Sequence, residues 1–245
     1  MNVYPDKIYF FNDSQAYGNK YNNLIQKDNL VSDLAKQFKS SKVVTLDYDD
    51  LCQKINCSIS KEITYDAVVM IGEKGKILFD QIKRNLRYRD LYQIDVKRIF
   101  SSDFSEGFDC KYNVKQIPQI SFKQYNKILI VDDIVYTGGT IRALVNSYNL
   151  DINRCLIVTL IKFKDFNEPI EQFCGYVVDE YTWPNGDSEL WCLWDFIEKD
   201  SCPNMSKKYQ TLIDNEKFCR NQVFGENYLK AKEIIDRMKR YELTG

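Results

Sequence analysis

The sequence predicts an α/β protein with a doubly wound, mostly parallel sheet, and three features of the chain predict it. Short aliphatic runs recur along its 245 residues and alternate with stretches of helical spacing. Some of these runs are continuous, as strands buried on both faces require. The loops that follow them carry glycine, acidic or basic residues, as expected where a parallel sheet gathers a ligand at the carboxyl ends of its strands. Strands that alternate with helices in this order form parallel sheets.

The individual elements follow from the same patterns. The predicted strands, in chain order, are Lys7–Phe11, Val43–Leu46, Tyr65–Ile71, Tyr92–Arg98, Ile128–Val131, Leu156–Phe163 and Gly175–Val178. Helical spacing predicts helices over roughly residues 22–38, over Ile77–Leu86 and from Ile141 onward.

The end of the chain predicts an amphipathic helix. Its apolar stripe consists of Ala231, Ile234, Ile235, Met238 and Tyr241. Such a helix is expected to pack on the domain or across a dimer rather than to contact nucleic acid. The predicted organisation is an N-terminal α/β extension (1–44), a core (45–200) and a C-terminal helical segment (201–245).

Composition excludes several classes of chemistry. The chain contains no histidine, so Ser-His and Cys-His nucleophiles and imidazole metal sites are excluded. Its eight cysteines are scattered without a Cys-x-x-Cys pair, which indicates free thiols in a reducing cytoplasm. A net charge of −1 gives no global attraction to nucleic acid or to an anionic membrane. No apolar run is long enough for a membrane span, and the N-terminus lacks a signal-peptide pattern, so a cytoplasmic protein is expected.

The most informative segment is residues 128–140, Ile-Leu-Ile-Val-Asp-Asp-Ile-Val-Tyr-Thr-Gly-Gly-Thr. Its four aliphatic residues predict a buried strand that ends in the acids Asp132 and Asp133. The turn Thr137–Thr140 then leads into a helix. Backbone N–H groups at such a turn, together with the positive end of the helix dipole, bind a phosphate. The two carboxylates can bind hydroxyl groups or a hydrated magnesium ion.

That segment resembles the phosphoribosyl-pyrophosphate (PRPP) loop of the type I phosphoribosyltransferases. The family pattern is an aliphatic strand, two acids, two aliphatic residues, a variable residue and Thr-Gly-x-Thr, and it is filled without a gap. The resemblance implies that Asp132 and Asp133 contact the ribose hydroxyls and act in catalysis. It also implies that the 5′-phosphate is held by Thr137, Gly138, Gly139 and Thr140. The implied cofactor is Mg²⁺.

The resemblance covers roughly residues 45–198 and implies further sites. Residues expected to contact pyrophosphate are Lys74, Gly75, Lys76, Lys97 and Arg98. Lys76 departs from the family pattern, which has a second glycine there. Residues expected to contact the base are Tyr136, Lys162, Trp191 and Trp194, and Asp195 joins the acidic pair as an expected metal ligand.

The identity of the base is left open by these residues. Lys162 and the Trp191/Trp194 pair favour a 6-oxopurine, whereas Tyr136 replaces the aspartate that purine enzymes of the family usually have and resembles the pyrimidine-operon regulators. A purine is slightly favoured. The loop at 101–118 is acidic, unlike the basic mobile loop that closes over PRPP in the family.

The expected function is transfer of ribose 5-phosphate from PRPP to a nucleobase, with release of pyrophosphate. The alternative is a regulator, weakly active or inactive, that binds PRPP or a nucleotide, or a subunit of a larger assembly. The acidic loop and Lys76 favour that alternative. A homodimer or a larger assembly is expected, with no membrane or nucleic-acid partner.

Overall fold

The protein consists of two compact units, formed by residues 1–49 with 179–245 and by residues 50–178. We call them the terminal unit and the central unit. The computed structural model describes residues 5–14, 25, 28–59, 61–100, 110–115, 120–164, 166, 168–178, 188–193, 196 and 219–243.

The order of the described elements agrees with the predicted alternation. The strands are β1 (Lys7–Asn12), β2 (Lys42–Asp47), β3 (Thr64–Ile71), β4 (Arg87–Ile94), β5 (Val96–Phe100), β6 (Cys110–Val114), β7 (Ile128–Val135), β8 (Cys155–Phe163), β9 (Glu171–Val178) and β10 (Ser188–Cys192). The α-helices are α1 (Leu30–Ala35), α2 (Tyr48–Ser58), α3 (Gly72–Ile82), α4 (Gly139–Tyr148) and α5 (Tyr228–Leu243). Among the described residues, no helix combines the length and the apolar character needed to cross a membrane.

The central unit contains a five-stranded sheet in the order β4-β3-β7-β8-β9, and all of its neighbouring strands are parallel. Residues such as Val69, Ile130 and Ile157 are fully buried, because strands with cover on both faces need apolar side chains on both. The predicted fold class is therefore confirmed. The strand order reverses between β3 and β7, since β3 leads to β4 on one side and β7 leads to β8 on the other. Ligands of such sheets bind at this reversal, outside the carboxyl ends of the strands.

The terminal unit unites the two ends of the chain. Strand β1 pairs in parallel with both β2 and β10, which form a three-stranded sheet. Ala231 and Met238 of α5 are fully buried in the same core as Phe10 and Leu34. The amphipathic helix thus packs on its own unit. The chain is grouped differently from the predicted segments 1–44, 45–200 and 201–245, because this shared sheet and core join the terminal segments.

Several boundaries differ from those predicted. Strand β7 continues through the acidic pair to Val135 instead of ending at Val131, because its ladder with β8 continues as far as Val135. Helix α3 begins at Gly72 rather than Ile77. The predicted strand Tyr92–Arg98 is divided at Asp95 into β4, which belongs to the large sheet, and β5, which pairs only with β6 in an antiparallel ribbon.

The described cysteines confirm the prediction of free thiols. Burial raises the pKa of the Cys155 thiol to about 11, whereas Cys57 is exposed. Because the thiolate is the reactive form, Cys155 is expected to resist iodoacetamide at pH 8 in the folded protein while Cys57 is alkylated. Peptide mass spectrometry after a timed exposure checks this. Equal alkylation of the two cysteines in folded protein would contradict the buried placement of Cys155.

Candidate functional site

The junction between β7 and α4 is built around a turn that only glycine fits. Gly138 has a φ of 79°, in the left-handed region that other residues rarely adopt. A Cβ atom at this position would also overlap the ring of Phe166 and lie 3.3 Å from Arg142 Nη1. The backbone N–H of Arg142 donates to Gly138 O at 2.8 Å, which closes the first turn of α4. The glycine predicted from the motif thus sets the angle at which the helix leaves the sheet.

A small cavity lies at the N-terminus of α4. It has a volume of about 30 Å³ and is lined by Tyr112, Asp132 and residues 134–141. The first N–H groups of a helix have no acceptor within that helix, and the helix dipole adds positive potential at the same end. All four residues predicted to hold the 5′-phosphate line this cavity. Their arrangement suits an anion.

The two acids face different surroundings. Asp132 is 6% exposed and borders the cavity, and its Oδ1 accepts a hydrogen bond from the Asp133 N–H at 3.0 Å. The Asp133 side chain is 21% exposed, and its Oδ2 lies 3.5 Å from Lys74 Nζ. Consecutive strand residues point to opposite faces, so one carboxylate is placed beside the cavity and the other beside the lysine. The buried Thr159 hydroxyl donates to Asp133 O at 2.9 Å and helps to fix the backbone.

Lys74 reaches Asp133 because α3 follows β3, the neighbour of β7 in the sheet. The pair therefore lies where the strand order reverses. The Lys74 side chain is 43% exposed, and a pair this open to water contributes at most about 1 kcal/mol to stability. A role in binding is a better explanation of its position than a role in folding.

The other residues predicted to contact pyrophosphate are more dispersed. Residues 72–76 form the first turn of α3 rather than a loop, since the helix begins at Gly72. Gly75 is buried, and a Cβ atom there would lie 2.5 Å from Val131 O, so this glycine permits close packing of α3 on β7. Lys76 Nζ lies 3.2 Å from Glu73 Oε1. Lys97 is exposed on β5, and the side chain of Arg98 lies outside the described residues.

The residues predicted to contact the base are only partly brought together. The ring of Tyr136 stacks on Phe163, with centroids 4.5 Å apart and planes 17° apart. Lys162 pairs in register with Val135, beside this stack, but its Nζ donates to Gln172 Oε1 at 2.6 Å. Gln172 pairs with Ile157, several residues earlier on β8, so the ammonium group turns back along the sheet.

The predicted aromatic pair belongs to the other unit. Trp191 is 2% exposed and packs against Phe196 in the core of the terminal unit, with ring centroids 5.6 Å apart. This is the environment of a core residue. Trp194 and Asp195 lie outside the described residues.

Magnesium was predicted from the acidic pair. Within the described part of the chain, no three Cys, Asp or Glu side chains come together as metal ligands. Two carboxylates on opposite faces of a strand do not enclose an ion. They do suit Mg²⁺ that arrives with a diphosphate, because this ion keeps several waters and takes only one or two protein carboxylates.

Two contributors to the site were not predicted from the sequence. Phe166 follows β8 and fills the space beside Gly138, and Tyr112 of β6 lies directly over Gly139. Neither position carries a local signal, because each contact joins segments that are distant along the chain.

Comparison with known proteins finds no matching family model and no matching curated protein. Solved structures do resemble the chain. A hypothetical protein from Neisseria gonorrhoeae with bound ppGpp is 17% identical, with 68% of this chain and 93% of that chain covered and a TM-score of 0.42. A purine phosphoribosyltransferase from Pyrococcus horikoshii is 15% identical, with 82% and 99% covered and a TM-score of 0.38.

A hypoxanthine phosphoribosyltransferase from Staphylococcus aureus is 19% identical, with 53% of this chain and 71% of that chain covered and a TM-score of 0.40. These TM-scores are all below 0.5. The functional assignment therefore rests on the geometry of the site.

Proposed function

We propose that this chain is a phosphoribosyltransferase. It would bind PRPP across the β7–α4 junction and transfer ribose 5-phosphate to a ring nitrogen of a nucleobase, with release of pyrophosphate. One observation carries the proposal: Asp132 borders an anion-sized turn at a helix N-terminus, and Asp133 meets Lys74 on the other side of the strand. A ligand with a phosphate at one end, a pentose in the middle and a diphosphate at the other end matches this order of groups.

The reaction follows from these placements. The base nitrogen forms a bond to C1′ with its lone pair, and the bond from C1′ to the pyrophosphate oxygen breaks. Pyrophosphate leaves with that electron pair, and the proton on the base nitrogen passes to water. Positive charge develops on the ribose ring as the leaving group departs. The carboxylates of Asp132 and Asp133 would stabilise this charge, and Lys74 would stabilise the negative charge on pyrophosphate.

Magnesium, when bound, would neutralise charge on the departing diphosphate. Asp133 would hold the water shell of the ion from the protein side, because its carboxylate is the more accessible of the pair. Lys74 lies beside this carboxylate and would orient it.

The acceptor that we propose is a purine base. The flat surface of Tyr136, supported by the buried Phe163 ring, provides a platform next to the ribose position. Lys162 lies beside that platform in the sheet and could reach an exocyclic oxygen after exchanging its hydrogen bond with Gln172. Tyr136 accepts pyrimidines equally well as a surface, so the test must include both kinds of base.

The proposal predicts PRPP-dependent formation of a nucleoside monophosphate. The full chain is incubated with PRPP and Mg²⁺ and with hypoxanthine, guanine, xanthine, adenine, uracil or orotate, one at a time. Pyrophosphate release and nucleotide formation are measured in parallel, with EDTA and with the base omitted as controls. We expect both products in equal amounts with at least one purine.

Two other outcomes have definite meanings. Tight binding of a nucleotide or PRPP without pyrophosphate release would indicate the regulator that Lys76 suggests as an alternative. Neither binding nor turnover with any base would overturn the proposed function.

A further inference from the structure

Tyr112 lies in the space that the predicted phosphate ligand needs. A Cβ atom added to Gly139 would overlap the Tyr112 hydroxyl and would lie 2.7 Å from the ring carbon Cε2. The phenol therefore rests against the bare Cα of the first residue of α4. The same ring forms part of the cavity wall, opposite Asp132 and the turn.

The remaining space is too small for a phosphoryl group. The cavity has a volume of about 30 Å³, which is close to the volume of one water molecule in the liquid, about 30 Å³. A phosphoryl group carries three terminal oxygens, each about as large as a water molecule. The ring and the phosphoryl group cannot occupy the site together.

The contacts that hold Tyr112 in place are weak. Its hydroxyl makes no hydrogen bond to any residue that the structure describes, so packing alone fixes the ring. Strand β6 pairs only with β5, through five residue pairs, and the ribbon joins no other described strand. An isolated two-stranded ribbon is marginally stable in water. By contrast, β7 and its turn are held between β3 and β8 in the large sheet.

We propose that Tyr112 is a gate on the phosphate subsite. This inference rests on the proposed function and adds a control to it. In the ligand-free protein the phenol closes the anion cavity, and the ring leaves Gly139 when a sugar phosphate binds. The measured affinity is then lower than the intrinsic affinity by the fraction of molecules in which the ring is displaced.

The alternative role for Tyr112 is that of a ligand, with its hydroxyl donating to the phosphate. The two roles differ in which atoms matter. A gate depends on the volume of the ring and not on the hydroxyl, whereas a ligand depends on the hydroxyl. Substitutions that remove one feature at a time separate them.

The test uses the full chain and ribose 5-phosphate as the probe, with PRPP and Mg²⁺ as a second ligand. Affinity is measured by calorimetry and association rate by stopped-flow for wild type, Tyr112→Phe, Tyr112→Leu and Tyr112→Ala. Asn113→Ala is the matched control, because Asn113 is the next residue on β6 and is exposed.

The gate predicts that Tyr112→Ala and Tyr112→Leu bind ribose 5-phosphate more tightly and associate faster. The gain approaches about tenfold if the ring is displaced in about one molecule in ten of the free protein. Tyr112→Phe and Asn113→Ala should stay within about twofold of wild type. A crystal structure with ribose 5-phosphate should show the ring displaced from Gly139.

Failure of the gate and failure of the proposed function give different results. If wild type binds and both ring-deleting variants bind equally or more weakly, or if Tyr112→Phe alone loses affinity, the gate is overturned and the phosphate site stands. A complex in which the ring still covers Gly139 also overturns the gate. If no variant binds either ligand, including Tyr112→Ala, both proposals fail.

Discussion

Replacing Asp133 by asparagine is expected to lower kcat for nucleotide formation at least about tenfold, on the scale of other electrostatic contributions to catalysis. Asparagine keeps the shape of the side chain and removes its charge. The positive charge that develops on ribose would then lose its more accessible carboxylate. The measurement is steady-state pyrophosphate release at saturating PRPP, Mg²⁺ and base.

The control for this substitution is Asp80→Asn. Asp80 also pairs with a lysine, since Lys83 Nζ lies 2.6 Å from its Oδ1 and both side chains are about half exposed. Its position on α3, away from the carboxyl edge of the sheet, gives it no role in the proposed reaction. Wild-type kcat in Asp80→Asn and reduced kcat in Asp133→Asn would locate the effect at the site. Unchanged kcat in Asp133→Asn would contradict the ribose role.

A double-mutant cycle with Lys74→Gln separates two explanations for a loss at Asp133. If Asp133 acts only by orienting Lys74, the double variant should be no slower than Lys74→Gln alone. If Asp133 stabilises charge on ribose directly, the effects on kcat should add to a large extent. Lys74→Gln itself should mainly raise the KM for PRPP, because its ammonium group would contact the diphosphate in both the ground state and the transition state.

The local part of this site could be predicted from the sequence. An aliphatic run followed by a glycine turn and a helical pattern depends on neighbouring residues, and the β7–α4 junction was predicted for that reason. The end of β7 was placed too early at Val131 because aspartate is rare within strands. Pairing of Asp132 with Thr159 and of Val135 with Lys162 outweighs that preference.

The contacts between distant segments could not be predicted in this way. Asp133 and Lys74 meet because β3 and β7 are neighbours, and Tyr112 meets Gly139 because a separate ribbon covers the helix N-terminus. Trp191 shows the opposite error. An aromatic residue at a strand end suits either a base platform or a core, and the pairing of β10 with β1 places it in a core.

Gly138→Ala is expected to cause the largest loss of stability. An alanine at a φ of 79° costs about 1–2 kcal/mol in backbone strain. The new Cβ would also overlap the Phe166 ring, which is 2% exposed in the core of the central unit. Inserting atoms into a packed core costs about 1–3 kcal/mol more. The free energy of unfolding should therefore fall by about 2–5 kcal/mol.

Gly72→Ala is the matched control. Gly72 has a φ of 59°, but an added Cβ would have no neighbour within 4 Å. This variant should therefore lose only the strain, about 1–2 kcal/mol. The difference between the two variants measures the overlap with Phe166. Equal losses would show that the ring can move aside at no cost.

The choice of probe decides whether these losses can be seen. The three tryptophans, Trp183, Trp191 and Trp194, all lie outside residues 50–178, so their fluorescence follows the terminal unit. Amide hydrogen exchange on β7 and α4 reports on the central unit itself. A double-mutant cycle then completes the argument. Phe166→Ala alone leaves a cavity and destabilises the unit, but combined with Gly138→Ala it removes the overlap, so the two losses should sum to less than their total by about 1–3 kcal/mol.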